Sequence, residues 1–82
     1  MSNRAAIYDR LHPIFREYFE DPSLTLSDAT TARDVEGWDS LAHVSLVVAI
    51  EKEFGIHLGV KHSSKLKNLG ELVDAIAARA KI

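Results

Sequence analysis

Apolar residues along this chain gather into three patches of helical period, with one long aperiodic stretch between the first and second. In the first patch Ile7, Leu11, Ile14 and Tyr18 recur at i, i+4, i+7 and i+11, the spacing of one helical face. Ser2 or Asn3 is placed to cap its start. Asp21-Pro22 ends it, because the residue before a proline avoids the helical region. Pro13 interrupts the pattern, since it removes the bond to the Asp9 carbonyl and crowds that turn. Either the helix kinks there or it begins near Pro13; the apolar face continues on both sides, which favours the kink.

Residues 21–39 show no period. Leu24, Leu26 and Val35 are spaced as anchors of a long loop, and Ser23, Ser27, Asp28, Thr30 and Thr31 offer the side-chain acceptors that local turns use. A second helix is predicted from Ser40 to Phe54, with Asp39 as N-cap and Gly55 as its stop. Leu46, Val47, Ile50 and Phe54 fall on one side of it, the simplest choice for the core. Leu41, Val44 and Val48 fall on the opposite side, either exposed or buried in a central helix. Ile56, Leu58 and Val60 read as an extended link into a short helical turn near Lys61 to Lys65. Asn68 and Glu71 have the spacing of a capping box, opening a last helix from Leu69 to about Arg79. Leu69, Leu72, Val73, Ile76 and Ala80 form its core stripe. The fold class expected is all-α: a four-helix bundle of three main helices, one short helix and a long first loop.

Length and charge narrow the picture. A chain of 82 residues makes one domain, because two cores would not fit. It has no cysteine, so disulfides, zinc thiolate sites and thiol nucleophiles are excluded, and a reducing cytoplasm is expected. No apolar run approaches the ~20 residues of a membrane span, and the N-terminus lacks the apolar core of a signal peptide. The net charge of −2 conceals a gradient. Residues 21–39 carry Asp21, Asp28, Asp34, Glu36 and Asp39 against Arg33, whereas residues 59–82 carry Lys61, Lys65, Lys67, Arg79 and Lys81 against Glu71 and Asp74. The two ends either cancel as solvated faces or select partners by charge. The basic segment lacks interleaved aromatics, so nucleic-acid binding is not expected.

The candidate chemistry centres on Gly37-Trp38-Asp39-Ser40-Leu41. A serine at a helix start often simply caps it. A catalytic Ser40 would need Asp39 and His43 to align with it, yet neighbours on one helix point to different sides, and bulky Trp38 follows Gly37 where an oxyanion elbow needs small residues. A third reading is attachment of a prosthetic group by a separate enzyme. A helix N-terminus offers free N–H groups and a partial positive charge, which suit a phosphodiester. His43 is either a plain surface histidine or a neighbour of such a group. His12, His43, His57 and His62 are scattered, with no pair spaced and supported as metal ligands.

Asp39-Ser40-Leu41, followed by Val44, Leu46, Val47, Ile50, Glu51 and Phe54 and then by Leu58, Leu66 and Leu69, resembles the acyl carrier protein family at matching spacings and without gaps. The resemblance covers nearly the whole chain. It implies that Ser40 carries a covalent 4′-phosphopantetheine arm and that Asp39 helps the phosphopantetheinyl transferase place its metal and substrate. It implies that Leu41, Val44 and Val48, with Glu51, form a stripe on which partner enzymes dock. The implied protein is a monomeric carrier and not an enzyme. It would present acyl thioesters to loading, condensing, modifying or acyl-transfer enzymes of fatty-acid, polyketide or related biosynthesis, without entering a membrane.

The chain departs from the resemblance in charge. Family members are usually strongly acidic along the second and third helices, whereas this chain has Ser45, Lys52, Lys61, His62, Lys65 and Lys67 there. Basic residues at that rim repel basic partners and change partner choice. A specialised carrier with dedicated partners is therefore expected. Alternatives are an aminoacyl or peptidyl carrier of a nonribosomal pathway, and a helical interaction module in which Ser40 is only a cap.

Overall fold

The computed structural model describes residues 4–80, the side chain of His62 excepted; the expected cap at Ser2 or Asn3 lies outside the described residues. The chain forms α1 (Arg4–Tyr18), α2 (Ser40–Phe54), a one-turn α3 (Val60–Ser63) and α4 (Leu69–Arg79), with no strand among the described residues. α1 packs against both α2 and α4, and α3 packs on α2. One contiguous core joins Ile7, Leu11 and Phe15 to Leu46, Val47 and Ile50, and these to Leu69, Leu72, Val73 and Ile76.

α1 runs unbroken across Pro13, so the later start near Pro13 is not taken. Pro13 and Asp9 are both exposed, so the proline lies on the solvent side of the helix, where losing one backbone bond costs least. The buried face differs from the expected one. Phe15 is fully buried, Ile14 is only half-buried and Tyr18 is exposed. The cause is the long loop, which lies along the Phe15–Phe19 side of α1 and turns the buried sector toward itself. Arg16 Nε donates to the Leu24 carbonyl at 2.8 Å, and the Leu26 N–H donates to His12 Nε2 at 3.0 Å. His12 Nδ1 donates in turn to the Tyr8 carbonyl at 3.0 Å, so the ring bridges α1 and the loop, donating at Nδ1 and accepting at Nε2. Leu26 and Val35 are buried, as anchors should be.

The loop also completes the start of α4. Its first three N–H groups go to the Thr30 carbonyl at 2.7 Å, the Asp28 carbonyl at 3.0 Å and Asn68 Oδ1 at 2.9 Å, satisfying donors that a helix end leaves open. Glu71 does not close the expected capping box on Asn68; it reaches one residue further and accepts the Lys67 N–H at 3.2 Å. Ala80 is half-buried at the edge of its stripe. Outside the core, Arg4 donates to Asp28 and Asp74, and Tyr8 donates to Asp28. Burial, and then that bond, push the Tyr8 hydroxyl up to about 12. α3 begins at Val60, earlier than the expected Lys61, and has ended by Ser63.

Candidate functional site

α2 starts as the sequence predicts. Asp39 is extended (φ −103°, ψ −170°), and its Oδ1 accepts the Ala42 N–H at 2.9 Å. Gly37, at φ +90°, makes the turn that precedes it. Trp38 then folds inward, edge-on to Phe15 with ring centroids 5.3 Å apart, and covers the core at this end. Ser40 is the first residue of α2 and is exposed. Among the described residues neither its hydroxyl nor the N–H groups of Ser40 and Leu41 have a hydrogen-bond partner. The cap is therefore Asp39. Ser40 is left as a displayed hydroxyl beside two open N–H donors at the positive end of a helix.

A pocket of about 450 Å³ opens beside Ser40, between α2, α3, the end of the long loop and the start of α4. Its wall runs from exposed Asp39 and Ser40, past Trp38, His43 and Val44, to buried Leu69 and Leu72. His43 is half-buried and is thus no plain surface histidine. The Ser63 hydroxyl donates to the Val60 carbonyl at 3.0 Å, so it accepts from His43 Nε2 at 2.9 Å. His43 Nδ1 is then bare and accepts the Trp38 indole N–H at 3.4 Å. Burial holds the His43 pKa below its ordinary 6.5, and the donor-acceptor pattern admits only the neutral ring. His43 and Ser63 stand 20 residues apart in sequence, so no local spacing marks Ser63 as a member of this wall.

Leu41 is 74% exposed, Val44 41% and Val48 43%, and Val60 of α3 adds a further apolar residue at 37%. The second face of α2 is thus solvent-facing and not buried in a central helix. Glu51 is placed differently from that stripe. Its Oε2 accepts the N–H groups of Leu58 at 2.8 Å and Gly59 at 3.1 Å, the Gly59 bond being the larger cause of a carboxylate pKa below the ordinary range. No group of three or more metal-ligating side chains forms among the described residues.

The family model for the phosphopantetheine attachment site matches residues 9–76. The chain belongs to the phosphopantetheine-binding acyl carrier protein family. It is 35% identical over 78 residues to the acyl carrier protein of Guillardia theta, covering 94% of this chain and 95% of that one. It is 31% identical over 75 residues to the acyl carrier protein of Thermosynechococcus vestitus, covering 90% of this chain and 91% of that one. The solution NMR structure of a holo acyl carrier protein from Geobacter metallireducens superposes with a TM-score of 0.79 at 40% identity, covering 88% of this chain and 83% of that one. The protein is accordingly a carrier and not an enzyme, its prosthetic group is covalent 4′-phosphopantetheine, and it works with a phosphopantetheinyl transferase and acyl-handling enzymes. No helix among the described residues is long and apolar enough to cross a membrane.

Proposed function

We propose that Ser40 is the residue that carries 4′-phosphopantetheine, and that the protein presents acyl thioesters on it to the enzymes of a specialised fatty-acid, polyketide or related pathway. The observation that carries this reading is the state of Ser40: exposed, relieved of capping by Asp39, flanked by the open N–H groups of Ser40 and Leu41, and set on the wall of the 450 Å³ pocket. When attached, the arm supplies a terminal thiol that holds the acyl group as a thioester.

The remaining residues divide the work. Asp39 fixes the first turn of α2, so the serine oxygen is held at one place relative to the helix axis. Its carboxylate is also exposed beside that oxygen, where a metal-dependent transferase can use it during loading. Leu41, Val44 and Val48 offer an apolar grip next to the arm. The pocket, lined by Val44, Leu66, Leu69 and Leu72 among others, has room for part of a cargo. The lysines of α2 and α3 support a specialised pathway, because they set partner choice by charge.

The test is intact mass after incubation with coenzyme A and a broad-specificity phosphopantetheinyl transferase. The parent chain should gain one phosphopantetheine group and the Ser40→Ala variant none. A mass gain in that variant would overturn the assignment of the serine.

A further inference from the structure

The apolar face beside Ser40 has an unusual border. On α2, Val44, Val48 and Lys52 follow one another at four-residue spacing and therefore share one face with Leu41. Across the pocket, Val60 shares the lining with Val44, and exposed Lys61, Lys65 and Lys67 continue from it along α3 and the turn into α4. Among the described residues none of these four lysines makes an ion pair. The carboxylates closest to them in sequence are already engaged. Glu51 is bound to the N–H groups of Leu58 and Gly59, Glu53 lies 3.8 Å from Arg10 of α1, and Glu71 accepts the Lys67 N–H. The acidic loop residues Asp28 and Asp34 are likewise turned to Arg4 and Thr31. Between Gly55 and Gly70 the chain carries Lys61, Lys65 and Lys67 and no carboxylate, so the α3 border of this apolar face is positive, whereas Asp39 leaves the border at Ser40 acidic.

We propose that this face docks enzymes whose carrier-binding surface is an apolar recess bordered by carboxylates where it meets α3. The inference rests on the assignment of Ser40 above, since any enzyme acting on the arm must cover the α2–α3 end. Leu41 and Val48 enter the recess, and Lys52, Lys61 and Lys65 meet the carboxylates at its rim. Rim charges of this kind act chiefly on encounter rate and partner choice, and their effect is screened by salt. A partner with a basic rim is repelled, so its rate on this carrier rises with ionic strength.

The experiment compares two probes on the full chain. One is a phosphopantetheinyl transferase with a basic carrier-facing surface; the other is the same enzyme with those Lys and Arg residues changed to Glu. Each loads the parent carrier, a Lys52→Gln/Lys61→Gln/Lys65→Gln variant and a Lys52→Glu/Lys61→Glu/Lys65→Glu variant. With the basic probe at low salt, initial rates should rise in the order parent, Gln, Glu, by roughly tenfold across the series. The parent rate should rise with added salt and the Glu rate fall. With the acidic probe the order and both salt slopes should invert. Equal rates, or one salt slope for every pair, would overturn the proposal. Co-sedimentation of the parent with phosphatidylglycerol vesicles at physiological salt, lost in the Glu variant, would overturn it in favour of a membrane surface. No mass gain with either probe would instead remove the assignment of Ser40, and this inference with it.

Discussion

Capping of α2 falls to Asp39, whose Oδ1 holds the Ala42 N–H, and this separates two neighbouring residues that sequence alone leaves entangled. Asp39→Ala should cost about 1 kcal/mol of stability, the usual loss for an N-cap acid. Ser40→Ala should stay within about 0.5 kcal/mol of the parent, as exposed sites without partners do. Urea titration of both variants checks this, and a reversed order would make the serine the cap. His43 carries a second residue-scale consequence. Its folded pKa is lowered by burial, so the unfolded chain binds the proton more tightly. The stability it contributes is complete above the ordinary histidine value of 6.5 and is lost as pH falls below it, toward the folded pKa. Urea midpoints should therefore decline on acidification through this window, before the carboxylates Asp28 and Glu51 begin to titrate, and His43→Gln should flatten that part of the profile. An unchanged slope in the variant would detach the effect from His43.

At the scale of elements, what the sequence reveals depends on whether the deciding contacts are local. α2 and α4 begin and end where the pattern predicts, Ser40 to Phe54 and Leu69 to Arg79, because Asp39, Gly55 and Asn68 act within their own helices. The second apolar stripe of Leu41, Val44 and Val48 is legible for the same reason, whereas its exposure depends on how the other helices pack and is seen only in the structure. α1 is otherwise: its period is plain, but its buried face is set by a loop that begins after it has ended. Phe15 is buried with Trp38 packed edge-on against it, and the loop is tied to α1 at His12 and Arg16, none of which a helical wheel contains. Gly70 shows the same dependence. A Cβ there would sit 3.0 Å from Asp28 Cβ and 3.1 Å from the Asp28 carbonyl, the very group that accepts the Gly70 N–H. Gly70→Ala gains helix propensity of up to about 1 kcal/mol against overpacking of about 1–3 kcal/mol. The loop carbonyl cannot retreat without losing its hydrogen bond, so the net should be a loss of about 1 kcal/mol, read as a melting point several degrees lower. A higher melting point would mean that the loop yields freely at Asp28.

Across the whole molecule, firmness and function lie at different ends. α1 joins α2 and α4 through fully buried Ile7, Leu11 and Phe15, whereas α3 is one turn long and packs on α2 alone among the stronger helix contacts. Two polar ties hold it there: Glu51 to the N–H groups of Leu58 and Gly59, and His43 to Ser63. The second lies in the wall of the pocket that Ser40 borders and the first anchors the segment leading into α3, so the wall with the fewest supports is also the wall beside the arm. Local opening draws on the few contacts of one segment and need not involve global unfolding. Hydrogen exchange should therefore be fastest, among helical amides away from the chain ends, in residues 60–64. Glu51→Gln replaces a carboxylate that accepts two N–H bonds with a neutral amide, and charge-assisted bonds are the stronger kind. It should speed exchange over residues 58–64 by roughly tenfold, while the central amides of α1 and α4 keep their parent rates. If those slow amides accelerated equally, Glu51 would be a support of the whole fold, and the pocket wall would have no independent motion.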